Sequence, residues 1–255
     1  MSGLPKTYMK ILRRLTGFWG AYPLSQDLAP GMVGRRVQGV FVRDCDLSDY
    51  PGFDAAAFAA STAEPRSPVD AWVDQGARLV QLEAGVGGGA LPAGGRVRLE
   101  FSGADQGAFV CRRACEWSFG NLRRVKDHLA DLYRQGHWQR GDILITTVMK
   151  AEQAFGVFSA EAGTSVNLEL TGVPAVGPAA QALMAALGSG SLRLGHDATS
   201  SSGYSSALDR PGTPLFQAIK LRRFPTPHAS FVVRGPDDFQ EAAFGADDDG
   251  EDPEA

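Results

Sequence analysis

Leu122-Arg123-Arg124-Val125-Lys126-Asp127-His128-Leu129-Ala130-Asp131-Leu132-Tyr133, then Gly136, then Ile143-Leu144-Ile145-Thr146-Thr147-Val148, is the stretch whose reading decides the fold. Leu122, Val125, Leu129, Leu132 and Tyr133 recur at spacings of three and four, which draws one apolar stripe along a helix over 121–135. Gly136 ends it. The β-branched run from Ile143 to Val148 is too dense for a helix surface and reads as a buried strand. The stripe and Trp138 are expected to be buried, with Arg123, Arg124 and Lys126 exposed. Beyond them, Ala151 to Ala160 and Thr164 to Thr171 flank Glu161-Ala162-Gly163 and read as the two arms of a hairpin. In the second arm Val166, Leu168 and Leu170 alternate with Ser165, Asn167, Glu169 and Thr171, the period of a strand with one apolar face.

Toward the N-terminus, Tyr8, Ile11, Leu12, Leu15 and Trp19 fall on one side of a helix over 5–18, and Lys6, Lys10, Arg13 and Arg14 cover the other. A basic amphipathic helix of this kind either docks on its own core or lies on an anionic membrane surface. Val37 to Arg43 reads as a short strand, and Asp44 to Pro68 as loop with one short helix near Ala55 to Ala60. Ala77 to Glu83 and Arg96 to Phe101 are strands joined by the glycine-rich 85–95, a long hairpin loop. Ala108 to Trp117 reads as one further strand. Toward the C-terminus, Pro178 to Leu187 reads as a helix and Ser191 to Leu194 as a short strand. Thr199 to Ser206 reads as a serine-rich loop, Pro214 to Leu221 as a strand, and Phe231 to Arg234 as a short apolar patch. Strands that arrive in hairpins, without alternating helices, predict an α+β fold. It is expected to hold a twisted, mostly antiparallel or mixed sheet of six or more strands, with flanking helices and long hairpins. Residues 1–224 form the expected domain and 225–255 a tail with an acidic, disordered end.

With 44% hydrophobic and 21% charged residues, the composition is that of a soluble globular protein. No apolar run approaches the ~18 residues of a spanning helix. The first residues lack the apolar region of a signal peptide, and three cysteines suit a reducing compartment. The cytoplasm is the expected location. The net charge of −4 conceals an asymmetry, because residues 237–255 hold nine acids and no base. Without them 25 basic residues face 20 acidic ones, a body of +5 that favours anionic partners.

No motif for catalysis or a cofactor stands out, so no enzymatic activity and no cofactor are expected. The glycines of 85–95 lack the Lys-Ser or Lys-Thr of a phosphate loop. Cys111, Cys115, His128 and His137 come near a zinc-finger spacing, but two cysteines four apart on one strand lie ~13 Å apart, too far to share a metal. The serines of 199–206 carry no nucleophile elbow.

The order helix, Gly136-His137-Trp138, Arg140-Gly141-Asp142-Ile143-Leu144-Ile145-Thr146-Thr147-Val148-Met149-Lys150-Ala151, hairpin, then Thr213-Pro214-Leu215-Phe216-Gln217-Ala218-Ile219-Lys220-Leu221 resembles the pore-forming domain of gasdermins, the short bacterial members above all. The likeness spans about residues 78–224. Ile145-Thr146-Thr147-Val148 stands where that family has its valine-threonine-glutamate strand. The family's lipid-attachment cysteine near the N-terminus has no counterpart before Cys45. The resemblance implies a latent pore-former, autoinhibited in the cytoplasm, activated by a protease and homo-oligomeric in the membrane, of the bacterial antiphage-defence type that kills the cell. It further implies that Lys6, Lys10, Arg13 and Arg14 contact anionic lipid, and that two hairpins, 77–102 and 151–171, enter the bilayer. The second hairpin would bring Phe155, Val157, Val166, Leu168 and Leu170. Phe231, Val232 and Val233 would belong to the inhibitory tail. Nucleic acid is not an expected partner. The alternative reading is a non-catalytic soluble binding or scaffold module.

Overall fold

The helix over Leu122–Arg134 (α2) forms where the stripe puts it, with Asn121 as its N-cap: the Asn121 side chain accepts the Arg124 N–H at 3.0 Å. Gly136, at φ +78°, ends it. Val125, Leu129, Leu132 and Trp138 are buried as the spacing requires. Leu122, the first residue of the helix, keeps 38% of its surface. Lys126 is half-buried and donates to the Phe239 carbonyl at 3.2 Å. The computed structural model describes residues 4–65, 67–85, 93–170, 192–198, 203–208, 210–221 and 239–242. The expected helix 178–187 and the patch 231–234 lie outside them.

The fold is α+β, and every strand pairing among the described residues is antiparallel. Its frame is four chain segments, each of which passes in turn through three sheets. The first carries β4 (Ala60–Thr62), β5 (Val69–Val73) and β6 (Ala77–Gly85). The second, running back, carries β7 (Ala93–Phe101), β8 (Gln106–Arg112) and β9 (Cys115–Phe119). The third carries β10 (Ile143–Ala151), β11 (Gln153–Ser159) and β12 (Ser165–Leu170), and the fourth β13 (Leu192–Ala198), β14 (Gly203–Leu208) and β15 (Gly212–Leu221). The middle sheet has the order β14-β11-β8-β5 and the outer sheet β13-β12-β7-β6. The eight-stranded sheet joins β4, β9, β10 and β15 with β1 (Trp19–Gly20), β2 (Met32–Val37), β3 (Val40–Asp46) and β16 (Phe239–Glu241).

Two cores lie on opposite faces of the large sheet. On β10, Ile143 and Ile145 join the cluster under the helix Leu4–Thr16 (α1), while Leu144 joins the cluster under α2. Period-two alternation on a strand buried on both faces produces this division.

Several expectations are corrected. Ala151 to Ala160 and Thr164 to Thr171 are not two arms of a hairpin. β11 pairs with β8 and β14, whereas β12 pairs with β7 and β13, so Phe155 and Val157 lie in a different sheet from Val166, Leu168 and Leu170. Gly163, at φ +76°, turns a corner in one continuing segment and does not reverse it. Alternation identifies a strand but leaves its partner open. Val37 to Arg43 is strand except at Gln38-Gly39, which turn the β2–β3 hairpin: both have positive φ, the geometry of the tight turns hairpins favour. Ala108 to Trp117 divides into β8 and β9 at Arg113, whose φ is +48°. The serine-rich 203–206 is strand, because Ser205 and Ser206 are held by the β11 ladder. Near Ala55 to Ala60 a single turn forms, in which Asp54 accepts the Ala56 and Ala57 N–H groups. The hairpin 77–102 forms as β6 and β7.

Candidate functional site

The middle and outer sheets form a single bent ribbon. Its ladder continues across the corner: Ser102 N–H donates to the Gly76 carbonyl (3.1 Å), Phe101 N–H to the Thr164 carbonyl (2.9 Å), and Gly163 N–H to the Phe101 carbonyl (2.9 Å). The residues that make the corner are those that tolerate a left-handed backbone, Asp105 at φ +52° and Gly163. Two strand pairs therefore lie side by side, β5–β6 against β8–β7 and β11–β12 against β14–β13. Residues 86–92, between β6 and β7, and 171–191, between β12 and β13, lie outside the described residues.

α1 seats on the ribbon's root. Tyr8 meets Phe158 edge to face with centroids 4.9 Å apart, and Ile11 rests on Gly107, where an added Cβ would lie 2.7 Å from the Ile11 side chain. Its basic side has mostly intramolecular partners. Arg14 forms a bidentate pair with Asp74 (2.8 and 2.7 Å) and also donates to the Asp105 carbonyl (2.7 Å). Asp74, with 11% of its side chain exposed, accepts the Gly107 N–H at 2.7 Å as well. Arg13 donates to the Gly17 carbonyl and to Glu241 at 2.5 Å, and lies 5.4 Å over the Trp19 ring. Lys10 is exposed, and the Lys6 side chain lies outside the described residues.

Of the expected bilayer residues, Phe155, Val157 and Val166 are buried; the side chains of Leu168 and Leu170 lie outside the described residues, as do Phe231, Val232 and Val233. Within the segment read as tail, Phe239–Glu241 pairs with Ile219–Leu221 on β15. Phe239 is buried in the α2 core, Ala242 in the α1 core, and Ala242 N–H donates to the Ala218 carbonyl (2.8 Å). This short strand touches both helices through Arg13 and Lys126.

Where the ribbon leaves the large sheet, a cleft of about 380 Å³ is lined by Asp27, Arg113, Cys115, Lys150 and Glu152, among others. Its charges face one another: Glu152 approaches Arg113 at 3.2 Å and Arg112 at 3.6 Å, and Lys150 stands 3.6 Å over the Trp117 ring. Burial pushes the Cys111 thiol well up, so it is a packing residue and a poor nucleophile. Among the described residues no group of three His, Cys, Asp or Glu side chains gathers to hold a metal.

Sequence reasoning missed Asp74, Asp105, Glu152, Phe239 and Glu241. The only signal was local: Asp74-Gln75-Gly76 has the turn chemistry of a corner, and Phe239 is one of two aromatics in the acidic stretch 237–255. Neither a protein-family model nor a curated protein matches this chain.

Proposed function

We propose that the protein is a latent pore-former, released by proteolytic removal of its C-terminal segment and assembling into membrane oligomers that kill the cell in a defence response. The observation that carries this reading is the continuous four-stranded ribbon, in which two long strand pairs already lie edge to edge. β6 and β7 have nine residues each, close to the ~9–11 of a bilayer-spanning strand. Among the described residues no helix is long and apolar enough to cross a membrane. Lipid cannot satisfy open strand edges, so insertion demands a closed ring of subunits. β16 supports latency. It occupies the outer edge of β15 and holds α1 through Arg13 and Glu241, and the acidic stretch 237–255 offsets a basic body that anionic lipid would attract, each such cation being worth ~1 kcal/mol at the surface.

The test is dye release from anionic liposomes by the full chain and by a chain ending at Phe224. Release by the shorter chain alone supports the proposal. Intact liposomes with both, while the shorter chain keeps its β-sheet circular dichroism, would overturn it in favour of a soluble scaffold.

A further inference from the structure

We propose that Arg14 and Asp74 form a latch that keeps the ribbon bent and α1 seated, so that opening this one pair frees both together. Three observations converge on it. Arg14 stands in the last turn of α1, and Asp74 begins the corner between β5 and β6. The contact is the planar fork on a carboxylate, the ion-pair geometry with the most directional strength. Arg14 also donates to Asp105, which makes the facing corner on the neighbouring segment, and Asp74 accepts the Gly107 N–H of β8. One guanidinium thus ties the helix to both segments of the first strand pair at their bend.

The neighbouring geometry makes the coupling reciprocal. Asp74 N–H donates to the Gly107 carbonyl (3.0 Å) while its carboxylate takes the Gly107 N–H. Gly107 is also the residue on which Ile11 rests. A corner that straightens moves Asp74 and Gly107 apart and so removes the seat of α1; a helix that leaves takes away the cation balancing a carboxylate that is nearly nine-tenths buried. Losing one partner of such a pair costs more than losing both. The latch stands on these contacts alone. Its place as the step between release of the C-terminal segment and extension of the ribbon rests on the pore reading.

Hydrogen–deuterium exchange of the full chain in the absence of membrane tests it. In Asp74→Asn, which keeps shape and removes charge, amides of α1 and of residues 101–107 should exchange about ten-fold faster, the size of one charged hydrogen-bonded pair. α2, on the opposite face, should stay unchanged and so reports that the body remains folded. Arg14→Lys should behave like Asp74→Asn, because it keeps the charge but not the fork. Unaltered exchange in α1 with Asp74→Asn, or acceleration in α1 without the corner, would overturn the latch. Dye release from anionic liposomes separates the two proposals: the expected exchange pattern with every variant leaving liposomes intact upholds the latch and removes the pore reading.

Discussion

Leu129 and Leu122 lie on the same apolar stripe two turns apart, yet Leu129 has no exposed surface and Leu122 keeps 38%. Leu129→Ala should therefore cost about 2–5 kcal/mol, and Leu122→Ala less than about 0.5 kcal/mol, read as shifts in urea midpoint. His128, on the same helix, stacks on Phe58 with centroids 5.0 Å apart, and its Nε2 is buried without a hydrogen-bond partner. Desolvation lowers its pKa, partly offset by the attraction of Asp131. A histidine whose folded value lies below its unfolded one leaves the unfolded chain holding more protons between the two. Its contribution is then complete above about pH 6.5 and is lost as pH falls through that window. The urea midpoint of the native chain should fall more steeply between about pH 7.5 and 5 than that of His128→Leu. Parallel profiles would show that His128 is solvated in solution.

Among the elements, β16 is short and has a large effect, because its three residues close the outer edge of β15 and bring Phe239 into the α2 core. Phe239→Ala should cost about 3–5 kcal/mol. Gln240→Ala, on the exposed position beside it, should stay within about 0.5 kcal/mol. Equal effects of the two in a denaturation series would mean that β16 contributes backbone pairing alone. α1 shows the converse economy. Its apolar side packs as its spacing requires, while its basic side, which resembles a lipid-binding face, supplies Arg13 to Glu241 and Arg14 to Asp74.

For the whole molecule, the edges of the sheets decide what can join it. A chain ending at Leu221 would leave Ile219 to Leu221 of β15 without their outer partner and open the apolar slot that Phe239 fills. An unpaired edge beside an apolar slot is a template for another chain. Sedimentation velocity should therefore show concentration-dependent self-association of the shortened chain and a monomer for the full one. A monomer in both cases would mean that the β15 edge is closed by other means.

By itself the sequence determined that α1 and α2 are helices and which of the longer runs are strand, because periods of 3.6 and 2 are written in neighbouring residues: Val125, Leu129 and Leu132 on α2, Val97 and Leu99 on β7, Ile143 to Val148 on β10. It also carried the α+β class, since the strands come without alternating helices. Only the tertiary structure decided which strand pairs with which. Glu161-Ala162-Gly163 has the composition of a hairpin turn, and whether such a turn reverses the chain or bends it depends on the ladder offered by the neighbouring strands, here β7 and β8 on one side and β13 and β14 on the other. The same holds for Ser205 and Ser206, which a local reading assigns to loop and a ladder to strand. The contacts that hold the ribbon join residues far apart in the chain, Arg14 with Asp74 and Arg13 with Glu241. No local pattern records them, because a salt bridge needs only two opposite charges and the fold alone brings these together.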